Sequence, residues 1–522
     1  MAVGPTLGTG LFIGAGQALA IGGPASLLIS YAFLSLLTYI MATTVAEVAT
    51  YTPTRHGTMV THGFRYTTVS FGFATACLRW YTMAMFVPFE ITTAMVNLGL
   101  WSPGGAIAAR LGMVTLIVIG FNFLPEKMFK ASEVLFTRIK IGTLVFLLVL
   151  SLSIGIGGAT GHDRWGFQYW KKPGAMHEYL APGKLGRFWG LMQCLLHSSI
   201  AFTMTPELIV HHAEMADAAD HPEGPETIDD LRPARSSSIP RRVVTGVATT
   251  VFPYILSSLA MGIMAPYNNP LLTNGGAGAG LSPFIIGMNT AKIRILPVTA
   301  TIAILLSSVA SGRTFLYLAS RTLCAMADVG HAPAMFKIRT SWGVPFVAVT
   351  ATATFAIFAF ICAATTSSVM FNYFLLFVNS SGFLSWLVSC AVFRQFRQRL
   401  RFRGVDHAPS FAVQPFGTYV GFVLSGVLLV ANGMSAAAPT PQAGSRGLKI
   451  LAAYISIPIF LALYLTQRFR DVISSRFPSP ANSVKVEPPE TSHGKSGLPQ
   501  GQEGAPSHAI ELDQVWSMAR EV

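Results

Sequence analysis

The chain alternates long apolar runs with short polar connections along most of its length. We count twelve runs that can cross a bilayer as helices. They cover residues 3–20, 24–46, 71–98, 106–124, 133–156, 188–212, 243–265, 293–325, 344–362, 369–393, 416–437 and 448–467. The pattern predicts an all-α polytopic membrane protein with one transmembrane domain over residues 1–467. Residues 468–522, rich in Pro, Ser, Glu and Gly, are predicted to form a disordered tail.

Composition supports a membrane protein and excludes several other classes. Hydrophobic residues make up 52% of the 522 residues and charged residues only 11%, against roughly 25% charged in soluble domains. The net charge of +13 comes from residues beside the apolar runs, which does not indicate nucleic-acid binding. The five cysteines lie in apolar runs without a CxxC pair, so we expect neither disulfides nor zinc. No nucleophile constellation, Walker loop or metal set indicates an enzyme or a cofactor.

Lysine and arginine are distributed unevenly between the two sides that twelve crossings define. With both termini on one side, that side carries 21 of them before residue 480, and the opposite side carries 10. Because basic residues concentrate on the cytoplasmic side, both termini and the tail are predicted to be cytoplasmic.

Two apolar runs contain residues that interrupt helices. The first run contains Gly8-Thr9-Gly10, and the sixth contains Thr203-Met204-Thr205-Pro206-Glu207. Broken helices leave backbone groups free to bind a ligand within the membrane, but small residues also mark close helix packing. The residues of the first run alone leave both interpretations open. The five-run spacing predicts an inverted repeat, with halves at about residues 1–156 and 188–393.

An ordered set of motifs resembles the fungal amino-acid permeases of the amino acid–polyamine–organocation superfamily. The matching segments are Gly8-Thr9-Gly10-Leu11-Phe12-Ile13-Gly14, Gly22-Gly23-Pro24, Pro88-Phe89-Glu90, Phe167-Gln168-Tyr169-Trp170, Pro266-Tyr267-Asn268-Asn269-Pro270, Ala319-Ser320-Arg321, Gly343-Val344-Pro345, Ser381-Gly382-Phe383 and Pro415-Phe416-Gly417. The resemblance implies twelve transmembrane helices, a leucine-transporter-like five-plus-five inverted repeat and two extra C-terminal helices at 416–467. It also implies amino-acid uptake at the plasma membrane by proton symport and alternating access, with the proton as coupling ion and no other cofactor.

The resemblance also implies a substrate site between the two interrupted runs. The substrate's α-carboxylate would bind backbone N–H groups of residues 6–10. Its ammonium would bind backbone carbonyls of residues 201–205. A helix N-terminus favours an anion, which agrees with the first role. Met204 is bulkier than the glycine that the family has at this position. Phe202 and Met204 could therefore pack in the core instead of binding substrate. The predicted substrate-binding residues are Thr6, Leu7, Gly8, Thr9, Gly10, Ala201, Phe202, Thr203, Met204 and Thr205.

Three ionisable residues within the apolar runs are predicted to act in gating or coupling. Glu207 and Glu90 match acidic positions of the family, and intramembrane carboxylates are functional candidates. Lys140 matches the lysine that proton-coupled members use, although a lysine near a membrane edge can also snorkel. Arg79 and Arg313 depart from the family. We expect Arg313 to pair with Glu90 or Glu207, either selecting an acidic substrate or locking the structure.

Two alternatives to transport remain open at this level. The chain could be a permease-like sensor that binds amino acids without moving them, or a degenerate or truncated permease. Residues 217–238 exceed the family's connection and are predicted to be disordered, as a regulatory loop or an unspliced insertion. His211 and His212 are expected to pack rather than bind metal.

Overall fold

The computed structural model describes residues 10–52, 58–101, 107–158, 165–220, 238–273, 280–293, 295–363, 366–402, 409–437 and 445–476. Within these ranges the secondary structure is helical, with no strand. Residues 1–471 form one compact unit and 472–522 form a second. The packing described below is that of the first unit.

Fifteen α-helices follow one another in the described residues. In chain order they are α1 Ala15–Tyr51, α2 Thr58–Tyr66, α3 Val69–Trp101, α4 Ile107–Gly120, α5 Glu126–Ile156, α6 Gly183–Ser198, α7 Thr205–Asp220, α8 Ser238–Met264, α9 Pro283–Thr290, α10 Leu296–Asp328, α11 Phe346–Ala353, α12 Ser367–Phe402, α13 Phe416–Ala437, α14 Arg446–Tyr454 and α15 Ser456–Arg476. A π-helical turn, Gly10–Gly14, leads directly into α1.

Six of the described helices are long and apolar enough to cross a membrane. They are α1 with its preceding turn, α5, α8, α10, α12 and α13. The pair α14 and α15, bent by 42° at their junction, makes a seventh when counted as one span. Each of the twelve predicted apolar runs overlaps helix in the structure.

Two predicted boundaries move when the helices are located. Helix α15 continues to Arg476, beyond the predicted end of the domain at 467. Helix α7 continues to Asp220, so the first part of the segment 217–238 is helical rather than disordered. The Ser238 hydroxyl donates a hydrogen bond to Asp217 across the base of this connection. Residues 221–237 and 477–522 lie outside the described ranges.

A sharp turn at Gly23 divides α1. Gly23 has a φ of +83°, a conformation that glycine adopts without steric cost. The backbone N–H of Ala25 donates to Ala175 O at 2.9 Å, and His177 N–H donates to Gly22 O at 3.0 Å. A Cβ atom at Gly23 would lie 2.9 Å from Ala175 O. The turn therefore separates the first two predicted runs and is held by the connection before α6.

The helices pack around one large apolar core. Helix α1 lies against α6 and α8, while α3 lies along α10. Phe12, Phe89, Phe202 and Trp386 are fully buried in this core. The packing brings α3, α10 and the start of α1 to the junction between α6 and α7.

Candidate functional site

The sixth apolar run is interrupted at residues 199–204, a few residues before the predicted segment 203–207, whose Pro206 and Glu207 lie in the first turn of α7. Helix α6 ends at Ser198, a 3-10 turn covers Ser199–Ala201, and α7 begins at Thr205. The N–H groups of Phe202 and Thr203 both donate to Ser199 O, at 2.9 and 3.0 Å. The chain thus makes a compact turn just before the segment at which the sequence predicts a break.

The turn before α1 lies directly against this interruption. A Cβ atom at Gly10 would be 3.1 Å from Ile200 Cγ2 and 3.2 Å from the Cα of Ala201. Only a residue without a side chain allows this approach without a shift of the neighbouring backbone. The predicted residues Thr6, Leu7, Gly8 and Thr9 lie outside the described ranges.

A small cavity lies where the two segments meet. Its volume is about 20 Å³, close to the space that one water molecule needs. Glu90 is the only ionisable residue in a lining that is otherwise mostly apolar and aromatic. The lining residues are Gly10, Phe86, Phe89, Glu90, Ile200, Ala201, Met204, Thr205, Leu208 and Phe315. An amino acid enters this space only if lining side chains such as Met204 move aside.

Five of the predicted residues therefore share one cavity, while two neighbours face elsewhere. Phe202 packs edge-on against Tyr31 and Tyr254, with ring centroids 5.4 and 5.0 Å apart. The Thr203 hydroxyl donates to Ser199 O at 2.8 Å. Neither residue lines the cavity.

Backbone carbonyls predicted to bind an ammonium already accept hydrogen bonds from the protein. Trp386 Nε1 donates to Thr203 O at 2.9 Å. Ala201 O accepts from the Thr205 hydroxyl at 3.1 Å and from the Tyr254 hydroxyl at 3.4 Å. These bonds stabilise the interrupted segment and reduce its capacity to bind a ligand.

Aromatic residues that were not among the predicted site residues form much of the cavity wall. Phe86 of α3 stacks on Phe315 of α10, with centroids 4.3 Å apart. Phe89 packs on Phe371 of α12 at 5.0 Å. The Pro88-Phe89-Glu90 motif indicated which part of α3 lies near the cavity. The sequence does not show which apolar residues of an apolar run face a cavity, so these phenylalanines were not predicted.

Glu207 lies in the first turn of α7, outside the cavity lining. Its carboxylate accepts a hydrogen bond from Arg79 Nη1 at 2.6 Å and another from the Ser385 hydroxyl. Arg79 and Glu207 are 5% and 1% exposed, so α3, α7 and α12 are joined by a buried ion pair. Arg79, a departure from the family, is thereby explained as the partner of Glu207.

The prediction that Arg313 pairs with Glu90 or Glu207 is wrong. Arg313 Nη2 donates to Glu133 at 2.6 Å and Nη1 donates to the Ser132 hydroxyl at 3.0 Å. Its guanidinium also lies 4.6–5.3 Å from the centroids of three phenylalanine rings, those of Phe121, Phe129 and Phe136. Arg313 does not line the cavity. Its ion pair joins α10 to α5, and the cation–π contacts further stabilise the buried guanidinium.

Lys140 is buried beside the Arg313–Glu133 pair. Its ammonium donates to the Ser311 hydroxyl of α10 at 2.7 Å. The ammonium also interacts electrostatically with the charges of Glu133, Glu90 and Arg313. Lys140 is therefore not a snorkelling residue, because only 4% of it is exposed.

Comparison with known proteins assigns the family. The amino acid permease family profile matches residues 1–225 and 226–471. The chain therefore belongs to the amino acid permease family, and it is an amino-acid transport protein of the membrane rather than an enzyme.

Three similar curated proteins are proline-specific permeases of fungi. A probable proline-specific permease of Schizosaccharomyces pombe is 33% identical over 469 residues, covering 88% of this chain and 81% of the relative. The proline-specific permease of Emericella nidulans is 33% identical over 89% and 82% of the two chains. That of Saccharomyces cerevisiae is 32% identical over 89% and 73%. The resemblance to fungal permeases is confirmed.

Solved structures share the fold at low sequence identity. A mutant of the manganese transporter of Eremococcus coleocola superposes with a TM-score of 0.56 at 14% identity, covering 91% of this chain and 94% of that one. This likeness concerns the arrangement of helices alone.

Proposed function

We propose that this permease carries a small neutral amino acid of the proline type into the cell by proton symport and alternating access. The observation that carries the proposal is the contact of Gly10 with the interrupted segment at Ala201, beside an apolar cavity. The three proline-specific relatives support this substrate class.

The lining favours an apolar side chain over a charged one. Phe86, Phe89 and Phe315 provide aromatic surface, and Glu90 provides one negative charge. The Arg313 guanidinium, which could have selected an acidic substrate, is bound to Glu133. A zwitterion with a compact apolar side chain is therefore the best match to the residues around the cavity.

We assign each end of the substrate to one element. The α-carboxylate binds the backbone of Thr6, Leu7, Gly8, Thr9 and Gly10, where a helix start favours an anion. The ammonium binds near Glu90, with Ala201, Met204 and Thr205 forming the facing wall. Phe202 and Thr203 hold the interrupted segment in place, because their contacts are with Tyr31, Tyr254 and Trp386.

Alternating access accounts for the small volume of the cavity. About 20 Å³ is too little for any amino acid, so binding requires a different arrangement of α3, α7 and α10. In this proposal the Arg79–Glu207 pair closes one side of the path. Lys140 carries the coupling proton in this proposal, since its buried ammonium donates to Ser311 and lies near the carboxylates of Glu133 and Glu90.

The proposed architecture keeps the twelve spans, the inverted repeat over residues 1–156 and 188–393, and the extra helices at 416–467. The turn at Gly23 supports two separate spans within Gly10–Tyr51. Both termini are cytoplasmic in this arrangement, and the membrane is the plasma membrane. A non-transporting sensor and a degenerate permease are the alternatives that flux measurements separate from transport.

The test is radiolabelled proline uptake by the full chain in cells that lack their own proline permeases. We expect saturable uptake that rises as external pH falls and that excess glutamate does not inhibit. The Glu90→Gln variant should raise KM strongly, whereas Glu126→Gln, at an exposed position of α5, should behave as the parent. Proline binding without flux at any pH would overturn transport in favour of a sensor.

A further inference from the structure

A basic recess lies between the C-terminal end of α12 and the start of α13. It has a volume of about 550 Å³. Arg394, Arg397 and Arg401 line it and follow one another at helical spacing on one side of α12. Within the described residues no carboxylate forms an ion pair with these three arginines. The recess thus concentrates positive charge that the described protein does not neutralise.

An apolar groove continues from this recess along α13. Its volume is about 580 Å³, and its walls come from α13 and from Phe188 and Met192 of α6. Phe422 lines both the recess and the groove. From Phe422 to Met434, α13 rises about 18 Å, slightly more than half of a hydrocarbon core that is about 30 Å thick.

The recess lies on the side of the molecule that the basic connections share. Arg399, between the recess arginines, donates a hydrogen bond to Arg65 O at the end of α2. The connection carrying Arg65 is among those assigned to the cytoplasm by their lysine and arginine content. The groove begins near this surface beside Phe422 and follows α13 past the middle of the membrane, because Phe188 and Met192 lie near the outer start of α6. Its inner part, beside Phe422, is the part that a lipid of this surface reaches.

We propose that the recess and groove together bind one anionic phospholipid of the cytoplasmic leaflet. The phosphate and the second acidic group of the headgroup contact Arg394, Arg397 and Arg401, and one acyl chain lies along α13 beside Phe422. The charge identifies the ligand, since basic pockets between helices at this membrane surface suit anionic headgroups. The groove favours a lipid over a free anion, because its apolar walls can contact an acyl chain along its length and a free anion would leave them empty.

Gly426 lies midway along the groove and provides a steric test. A Cβ atom at Gly426 would meet only Leu387 Cδ2, at 3.9 Å. The Gly426→Leu variant therefore adds a side chain without disturbing the packing beneath, and it fills the groove while leaving the arginines unchanged. The second test is the triple variant Arg394→Gln, Arg397→Gln, Arg401→Gln, which removes only the headgroup contacts.

The experiment measures phosphatidylserine and phosphatidylcholine binding to the purified full chain in detergent, by native mass spectrometry and by the thermal shift that each lipid produces. We expect one tightly held phosphatidylserine and a clear preference for it over phosphatidylcholine. Each lost arginine should weaken phosphatidylserine binding about fivefold. Gly426→Leu should reduce retention of both lipids. A matched triple variant of exposed basic residues, Lys337→Gln, Arg468→Gln, Arg470→Gln, should keep the parent's preference.

Two outcomes would overturn the proposal. An unchanged phosphatidylserine preference in the Arg394, Arg397, Arg401 triple variant would show that these residues do not bind the headgroup. An equal thermal shift from inorganic phosphate would identify a site for a soluble anion instead. Each variant is compared between two lipids in the same preparation, so a general loss of stability does not imitate loss of the preference.

Discussion

Gly10 lies so close to Ala201 that the Cα of Ala201 would be 3.2 Å from a Cβ atom at Gly10. Gly10 belongs to the turn before α1, and Ala201 belongs to the turn between α6 and α7. The π-helical turn before α1 and the interrupted segment of the sixth run are therefore in close contact beside the cavity. Substitutions at this contact separate the segments and change the site itself.

A side chain at Gly10 should abolish uptake. Gly10→Val places branched carbons against Ile200 and the backbone of Ala201, and so displaces one wall of the cavity. We expect proline uptake to fall at least tenfold while the protein still reaches the cell surface. Gly112→Val is the matched control, because nothing lies within 4 Å of a Cβ atom at Gly112. Normal uptake by Gly10→Val would contradict the proposed site.

Removing one member of the Arg79–Glu207 pair should destabilise the protein. Arg79→Met leaves the buried Glu207 carboxylate with the Ser385 hydroxyl as its remaining hydrogen-bond donor among the described residues, and an uncompensated buried charge costs about 3–5 kcal/mol. The double variant Arg79→Met, Glu207→Met should lose much less, as measured by chemical unfolding in detergent. Lys130→Met, which breaks an exposed pair with Glu126, should cost under about 0.5 kcal/mol. Equal losses in the single and double variants would argue against a coupled pair.

Lys140→Ala should remove the pH dependence of uptake. The substitution deletes a buried ammonium that interacts with Ser311 and with the charges of Glu90 and Glu133. Uptake is measured between pH 4.5 and 7.5 in cells with equal surface expression. Lys127→Ala, at an exposed position on the same helix, is the control. A parental pH profile in Lys140→Ala would refute the proton role.

A substitution at Thr203 should partly compensate for a substitution at Gly382, because the two residues are in close contact. A Cβ atom at Gly382 would lie 1.7 Å from Thr203 Cγ2, so Gly382→Ala should lower both thermal stability and uptake. Thr203→Ser removes that methyl group and keeps the hydroxyl that bonds Ser199 O. The double variant should recover part of both properties. Failure of any recovery would mean that Gly382 acts through another contact.

His62, on the short helix α2, should make stability depend on pH. Burial lowers the pKa of His62 to about 4, whereas an unfolded histidine has a pKa of about 6.5. The unfolded chain therefore binds the proton first, so this stabilising contribution is complete above pH 6.5 and declines as pH falls toward 4. His62→Gln should flatten the decline in melting temperature between pH 6.5 and 4.5. At pH 7.5 the comparison shows the effect of the substitution alone, and an unchanged slope would contradict this assignment.

The sequence alone predicted much of the fold because helices depend on local pattern. The apolar runs, an interruption of the sixth run and the turn at Gly23 are encoded by hydropathy and by Gly and Pro, although the interruption begins after Ser198 and not at the predicted Thr203. The family followed from ordered motifs. Five residues of the predicted site, including Glu90 and Met204, line one cavity because broken segments at the same depth tend to meet in such folds.

Side-chain partners could not be predicted in the same way. Arg313 was expected to pair with Glu90 or Glu207 and instead pairs with Glu133, because the rotation of α5 against α10 decides which carboxylate it reaches. Phe202 and Met204 are two residues apart, yet one packs on Tyr31 and the other lines the cavity. In a tight turn a step of two residues is enough to change the direction of a side chain. The sequence by itself determined the helices, their interruptions and the family; only the packing of the helices decided the ion pairs, the aromatic wall and the basic recess, since these depend on contacts between residues far apart in the chain.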